Sequence, residues 1–122
     1  MGLIGKAQRL RIYLDENLKW DGQLLYRTLI EELLELKIAG ATVFKGVEGF
    51  GSSAHIHSAK ILEITENLPV LVEVIDKPSQ IRKALQALDP LLPVHCLVTV
   101  EDVKVLRYHI PEGKRVKSRK LA

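Results

Sequence analysis

The stretch Gly40-Ala-Thr-Val-Phe-Lys-Gly-Val-Glu-Gly-Phe-Gly-Ser-Ser-Ala-His-Ile-His-Ser58 divides this chain into two halves. Its first part, Ala41–Val47, alternates as a strand, with Ala41, Val43 and Lys45 opposite Thr42, Phe44 and Gly46. It then opens into a loop from Glu48 to His57. Gly40, Gly46, Gly49 and Gly51 crowd into twelve residues. Glycine lets a ligand or another backbone approach the main chain closely but weakens regular structure, so such a concentration marks a turn, a bulge or a site.

Upstream, Gln23–Ala39 repeats leucine at 25, 29, 33 and 36, with Arg27, Glu31, Glu32 and Glu35 between them. That is an amphipathic helix laid on a sheet, and Gly40 is placed to stop it. Gln8–Leu14 alternates Leu10, Ile12 and Leu14 against Arg9, Arg11 and Tyr13, the period of a half-buried strand. Between the two, Asp15–Gly22 is a polar turn in which Asp21 is a candidate helix cap. Trp20 in that loop is either core or the wall of a pocket.

Downstream, Ser58–Thr65 reads as a short strand through Ala59, Ile61 and Leu62, and Asn67–Pro69 as a turn. Val70–Ile75 is an interior strand broken only by Glu73, which must face the uncovered side of the sheet or find a base or ligand. Lys77-Pro78-Ser79 opens a second helix through Ile81, Ala84, Leu85 and Leu88, closed by Asp89-Pro90. His95–Val100 and Val103–Tyr108, separated by Glu101-Asp102, predict a fourth strand and a terminal one.

The order β-α-β-loop-β-α-β predicts an α+β, ferredoxin-like βαββαβ sandwich, an antiparallel sheet with both helices on one face. Thr42, Phe44, Leu71 and Glu73, or their alternates, fall on the open face. A large apolar face does not stay in water, so self-association is expected, a ring of three being one closure.

Length and composition fit one domain: 122 residues can bury a core without disulfides, 47% hydrophobic content is typical of a globular protein, and 27% charged content argues against general disorder. The lone Cys96 in an apolar run fits a reducing compartment. With no signal peptide at Met1–Lys6 and charges interrupting every apolar run, the expected location is cytoplasmic. Glu112–Ala122 carries five bases against one acid, a net +4 within the formal +3, which leaves the body at −1. A nearly neutral body argues against a nucleic-acid partner. The expected division is one domain over 8–108 and a flexible basic tail over 109–122.

No nucleophile–base arrangement is visible, so no enzyme is expected; Gly51-Ser-Ser is not a nucleophile elbow. His55 and His57 have the spacing of a metal pair on a strand but lack a cysteine or carboxylate cluster nearby, and the expectation is no metal. The glycine run has neither the P-loop lysine nor the dinucleotide pattern. Its amides around Gly49 and Gly51 could still hold an anion, with Lys45, His55 or His57 supplying charge. Phe50 is then a stacking surface or a plug.

Several segments together resemble a known family: Leu10-Arg-Ile-Tyr, Lys19-Trp-Asp-Gly, Leu25-Tyr26, Gly40 through Gly51, His57-Ser58 and Leu68-Pro-Val-Leu-Val-Glu-Val-Ile-Asp76. They look like the domain-of-unknown-function-190 family of small, PII-like prokaryotic proteins, over roughly Gln8 to Val105. The resemblance implies the ferredoxin-like fold, a homotrimer and a signalling role. PII regulators bind adenine nucleotides in clefts between subunits beside the loop joining the second and third strands. Here that loop lacks the modifiable tyrosine. Asp89–Val94, where the PII phosphate loop would fall, contains no glycine. The expected ligand is therefore AMP or ADP, with no resident cofactor. The expected site is Gly46, Gly49, Phe50 and Gly51 around the ligand, Lys45 and His57 near the phosphate, Ser58 as a further binding residue, and Trp20 and Tyr26 as walls. Two rival readings stay open: a ligand-free module that docks on a membrane transporter or channel, and a metal-binding trimer of the divalent-cation-tolerance type.

Overall fold

A computed structural model describes residues 3–50, 57–58 and 68–109. Its main elements are β1 (Gly5–Asp15), α1 (Leu25–Glu35), β2 (Ala41–Lys45), β3 (Pro69–Asp76), α2 (Pro78–Leu88) and β4 (Leu97–Val105). The four strands form one sheet in the order β2-β3-β1-β4, each neighbouring pair antiparallel. This is the ferredoxin-like arrangement.

Register turns the alternation of each strand into two continuous faces. Leu10 lies between Val74 and Val100, and Ile12 between Val72 and Val98. Leu10, Ile12, Leu14, Val70, Val72 and Val74 are buried, and Val98 is partly buried against them. Leu25, Leu29 and Leu33 of α1 and Ile81, Ala84 and Leu88 of α2 complete the core, while Val100 near the edge stays exposed. Full burial of such side chains contributes about 1.5–3 kcal/mol each, which fixes the register against a one-residue slip. The opposite face carries the odd-numbered set of β1 and β3. Phe44, Leu71, Tyr13 and Leu97 form one row across all four strands, and Thr42, Glu73, Arg11 and Thr99 the next.

Asp76 is the one buried charged or polar side chain among the described residues. Its carboxylate accepts the amide of Ala39 at 2.8 Å and that of Lys77 at 2.7 Å. One side chain thereby ties the entry of β2 to the exit of β3 and the start of α2.

The elements depart from expectation in three places. Helix α1 stops at Glu35, four residues before Ala39, and Gly40 does not terminate it. Lys37 takes the left-handed position (φ 59°), donating its amide to Leu34 O, while Ile38 N reaches Leu33 O. That is a Schellman ending, and the buried Ile38 and Leu33 supply its apolar contact. Asp21 caps no helix. Asp21 (φ 49°) and Gly22 (φ 79°) form the two-residue turn of a hairpin between Lys19–Trp20 and Gln23–Leu24. Positive φ at both positions favours Asp-Gly because it matches the twist of the flanking strands. The fourth and terminal strands are a single strand, β4: Glu101 and Asp102 do not break it, because they are paired with Arg9 and Gln8 of β1. Of Ser58–Thr65, only Ser58 is described, paired with Glu48; the rest lies outside the described residues.

After β4 the chain crosses the end of the sheet. Tyr108 O accepts Leu3 N at 3.0 Å, and its hydroxyl donates to Ala39 O at 2.9 Å.

Candidate functional site

The end of the sheet where β2 stops and β3 begins gathers much of the expected site. Gly46 N donates to Pro69 O at 2.8 Å, extending the β2–β3 ladder by one residue. A Cβ on Gly46 would lie 2.7 Å from Pro69 Cγ, and one on Gly49 would lie 3.3 Å from the same atom. Neither glycine has positive φ: Gly46 is demanded by space rather than by backbone conformation, while a side chain at Gly49 would need the proline ring to give by only a few tenths of an ångström. The loop then doubles back: Glu48 pairs with Ser58 and Gly49 with His57 in a short antiparallel ladder. Gly46, Gly49, His57 and Ser58 are thus brought to one loop by their backbones. Gly51 and His55 lie outside the described residues.

Lys45 ends β2 beside this loop. Its Nζ donates to Glu16 Oε2 at 2.6 Å, and Glu16 is held in place by its own amide, which donates to Leu68 O at 2.9 Å. The carboxylate acceptor raises the Lys45 ammonium above its ordinary pKa; Tyr26 adds to the rise, and Arg27 opposes it. Tyr26 is half-buried against the core, so its backbone position on α1 is fixed by packing. Phe50, 72% exposed, does not plug the core. Trp20 is also exposed, on its hairpin, and is not among the core residues.

Glu16, Arg27 and Pro69 were not anticipated at this place. Asp15-Glu16 was visible only as adjacent acids, and nothing in the sequence links Glu16 to Lys45, 29 positions away. The antiparallel pairing of β1 and β2 with β3 makes that link.

The open sheet face adjoins the site. Phe44 is 48% exposed and Leu97 57%, with Tyr13 between them, an apolar row that no described residue covers. Beside it, Arg11 Nε donates to Glu73 Oε2 at 2.9 Å. Arg9 Nε donates to Glu101 Oε1 at 3.0 Å, and Arg11 lies 4.0 Å from the same oxygen. Glu73 therefore faces the open side and pairs with a base as well. Arg9 holds the Glu101 carboxyl below its usual range, and Glu73 raises the Arg11 guanidinium. Burial pushes the Cys96 thiol up, and its Sγ donates to Tyr13 O at 3.3 Å, the behaviour of a structural thiol rather than a reactive one. Among the described residues no group of three metal-ligating side chains occurs, and no helix is long and apolar enough to cross a membrane.

Such a sheet, with both helices on one side, is shared with solved PII-like proteins. CPII, a nitrogen regulatory PII-like protein from Thiomonas intermedia bound to ADP, AMP and bicarbonate, superposes with a TM-score of 0.59 at 19% identity, over 82% of this chain and 88% of that one. A protein from Thermus thermophilus with a proposed PII-like signalling role gives a TM-score of 0.60 at 22% identity, over 87% and 94%. By sequence, the chain is 34% identical over 101 residues to a UPF0166 protein of Aquifex aeolicus, covering 83% of this chain and 94% of that one. It is 33% identical over 102 residues to a UPF0166 protein of Methanocaldococcus jannaschii, covering 84% and 94%. The model of the DUF190 family, described as an uncharacterized ACR, matches residues 7–105. The chain belongs to that family, and its fold is PII-like.

Proposed function

We propose that this protein is a PII-like regulator, not an enzyme, that binds an adenine nucleotide, AMP or ADP, at the end of the sheet beside the loop that follows β2. The observation that carries the reading is the fold shared with a PII-like protein whose structure holds ADP and AMP. Lys45 beside a glycine-bearing loop supports placing the phosphate there. His57 and Ser58, paired opposite Gly49 and Glu48, are assigned to the same side, with Gly46, Gly49, Phe50 and Gly51 around the ligand. Tyr26, next to Arg27 on α1, is a wall residue; Trp20 is kept as a second, on its exposed hairpin.

The uncovered row Phe44, Tyr13, Leu97 supports a homotrimer closed through the open sheet face. The site lies at the rim of that face, so a neighbouring copy would complete it. Nucleotide binding would change the surface this loop offers to a protein partner such as a membrane transporter or channel.

Calorimetry with AMP, ADP, ATP and cyclic AMP on the full chain tests the ligand. A nucleotide at a hundred times its Kd adds about 2.7 kcal/mol of stability, visible as a raised Tm. If all four leave both heat and Tm unchanged, the nucleotide reading fails. A partner captured equally well without nucleotide would favour the ligand-free docking module, for which exposed Phe50 and Val47 are the natural contact residues.

A further inference from the structure

Lys45 is not a free cation. Its ammonium is 2.6 Å from Glu16 Oε2, and the two ends differ in exposure. The Glu16 side chain is 21% exposed and anchored through its backbone to Leu68, whereas Lys45 is 52% exposed on a flexible stem. Arg27 lies close enough to act on the Lys45 charge and pairs with no carboxylate among the described residues. One fixed carboxylate therefore holds the Lys45 ammonium beside the loop, and an anion that takes Lys45 also meets that carboxylate.

We infer that Glu16 is a specificity-determining residue for anionic ligands: it holds Lys45 as an internal counter-ion that a phosphate must displace. The inference rests on the nucleotide reading above and deepens it. A ligand phosphate must take the ammonium from Glu16 and accept the repulsion of the remaining carboxylate. Glu16 thereby weakens binding in proportion to ligand charge and leaves a neutral nucleoside unaffected. Exposed ion pairs of this kind are worth a fraction of a kcal/mol up to about 1 kcal/mol, so removing the competitor should tighten binding about two- to fivefold.

The test is calorimetric titration of adenosine, AMP and ADP into the full-length wild type and the variants Glu16→Gln, Lys45→Met and the double variant, each first checked by thermal melting. The expected result is a gain of about two- to fivefold for Glu16→Gln with ADP, a smaller gain with AMP and none with adenosine. Lys45→Met should weaken ADP, and Glu16→Gln should give a smaller gain in that background. If nucleotides bind but Glu16→Gln leaves ADP affinity unchanged or lowers it, the inference is overturned while the nucleotide reading stands. The same holds if the gain is equal for adenosine, or if Lys45→Met binds ADP as the wild type does. If neither the wild type nor Glu16→Gln binds any of the three, both are overturned.

Discussion

Lys37 sits in the left-handed region that ends α1, where an L side chain meets the following carbonyl at a cost of about 1 kcal/mol. Lys37→Gly should therefore stabilise the protein by roughly 0.5–1 kcal/mol, read as a rise of a few degrees in Tm. A fall in Tm would show that the lysine makes a compensating contact. Gly46 presents the converse case. An added methyl would lie 2.7 Å from a proline ring that is itself fixed by the β2–β3 ladder. Gly46→Ala should cost about 1–3 kcal/mol in denaturant unfolding, and the loss should appear with or without nucleotide. A loss of nucleotide affinity with unchanged stability would instead assign that glycine to the ligand.

At the level of elements, β4 shows how a strand survives two consecutive acids. Glu101 faces Arg9 on the open side of the sheet, and Asp102 accepts from Gln8. Because Arg9 lowers the Glu101 pKa in the folded state, this pairing favours folding above the carboxylate's ordinary value. The contribution drains away as pH falls through the lowered native value, from about pH 4 downward. Glu101→Gln should thus be less stable than wild type at neutral pH, and the difference should close toward pH 3 and shrink with added salt. Parallel stability curves across that range would remove the pair from the account. The turn at Asp21-Gly22 illustrates a second rule. Asp-Gly between two short extended pairs specifies a hairpin more strongly than aspartate alone specifies a helix cap.

At the scale of the whole fold, two helices cover one sheet face, and no described element covers the other. Phe44, Tyr13 and Leu97 lie in one row across that bare face. Placing a charge there, as in Phe44→Glu, should shift the proposed trimer to monomers in sedimentation while keeping the fold, since the side chain is already half exposed. An unchanged oligomer would move the interface elsewhere.

Strand alternation in β1 and β3, the helical leucine repeat and the proline that opens α2 determined the order of elements, and with it the ferredoxin-like sandwich. These features are local, set by periods of two and 3.6 residues, and are therefore legible in sequence. The Gly40–Ser58 segment was likewise recognisable as a place of special backbone. Only the tertiary structure decided why Gly46 is a glycine, because the atom that crowds out a side chain belongs to Pro69 on another strand. It alone joined Lys45 to Glu16, and Ala39 and Lys77 to Asp76. Contacts of that kind depend on strand pairing between distant segments, and their distances follow from the register of the sheet rather than from neighbouring residues.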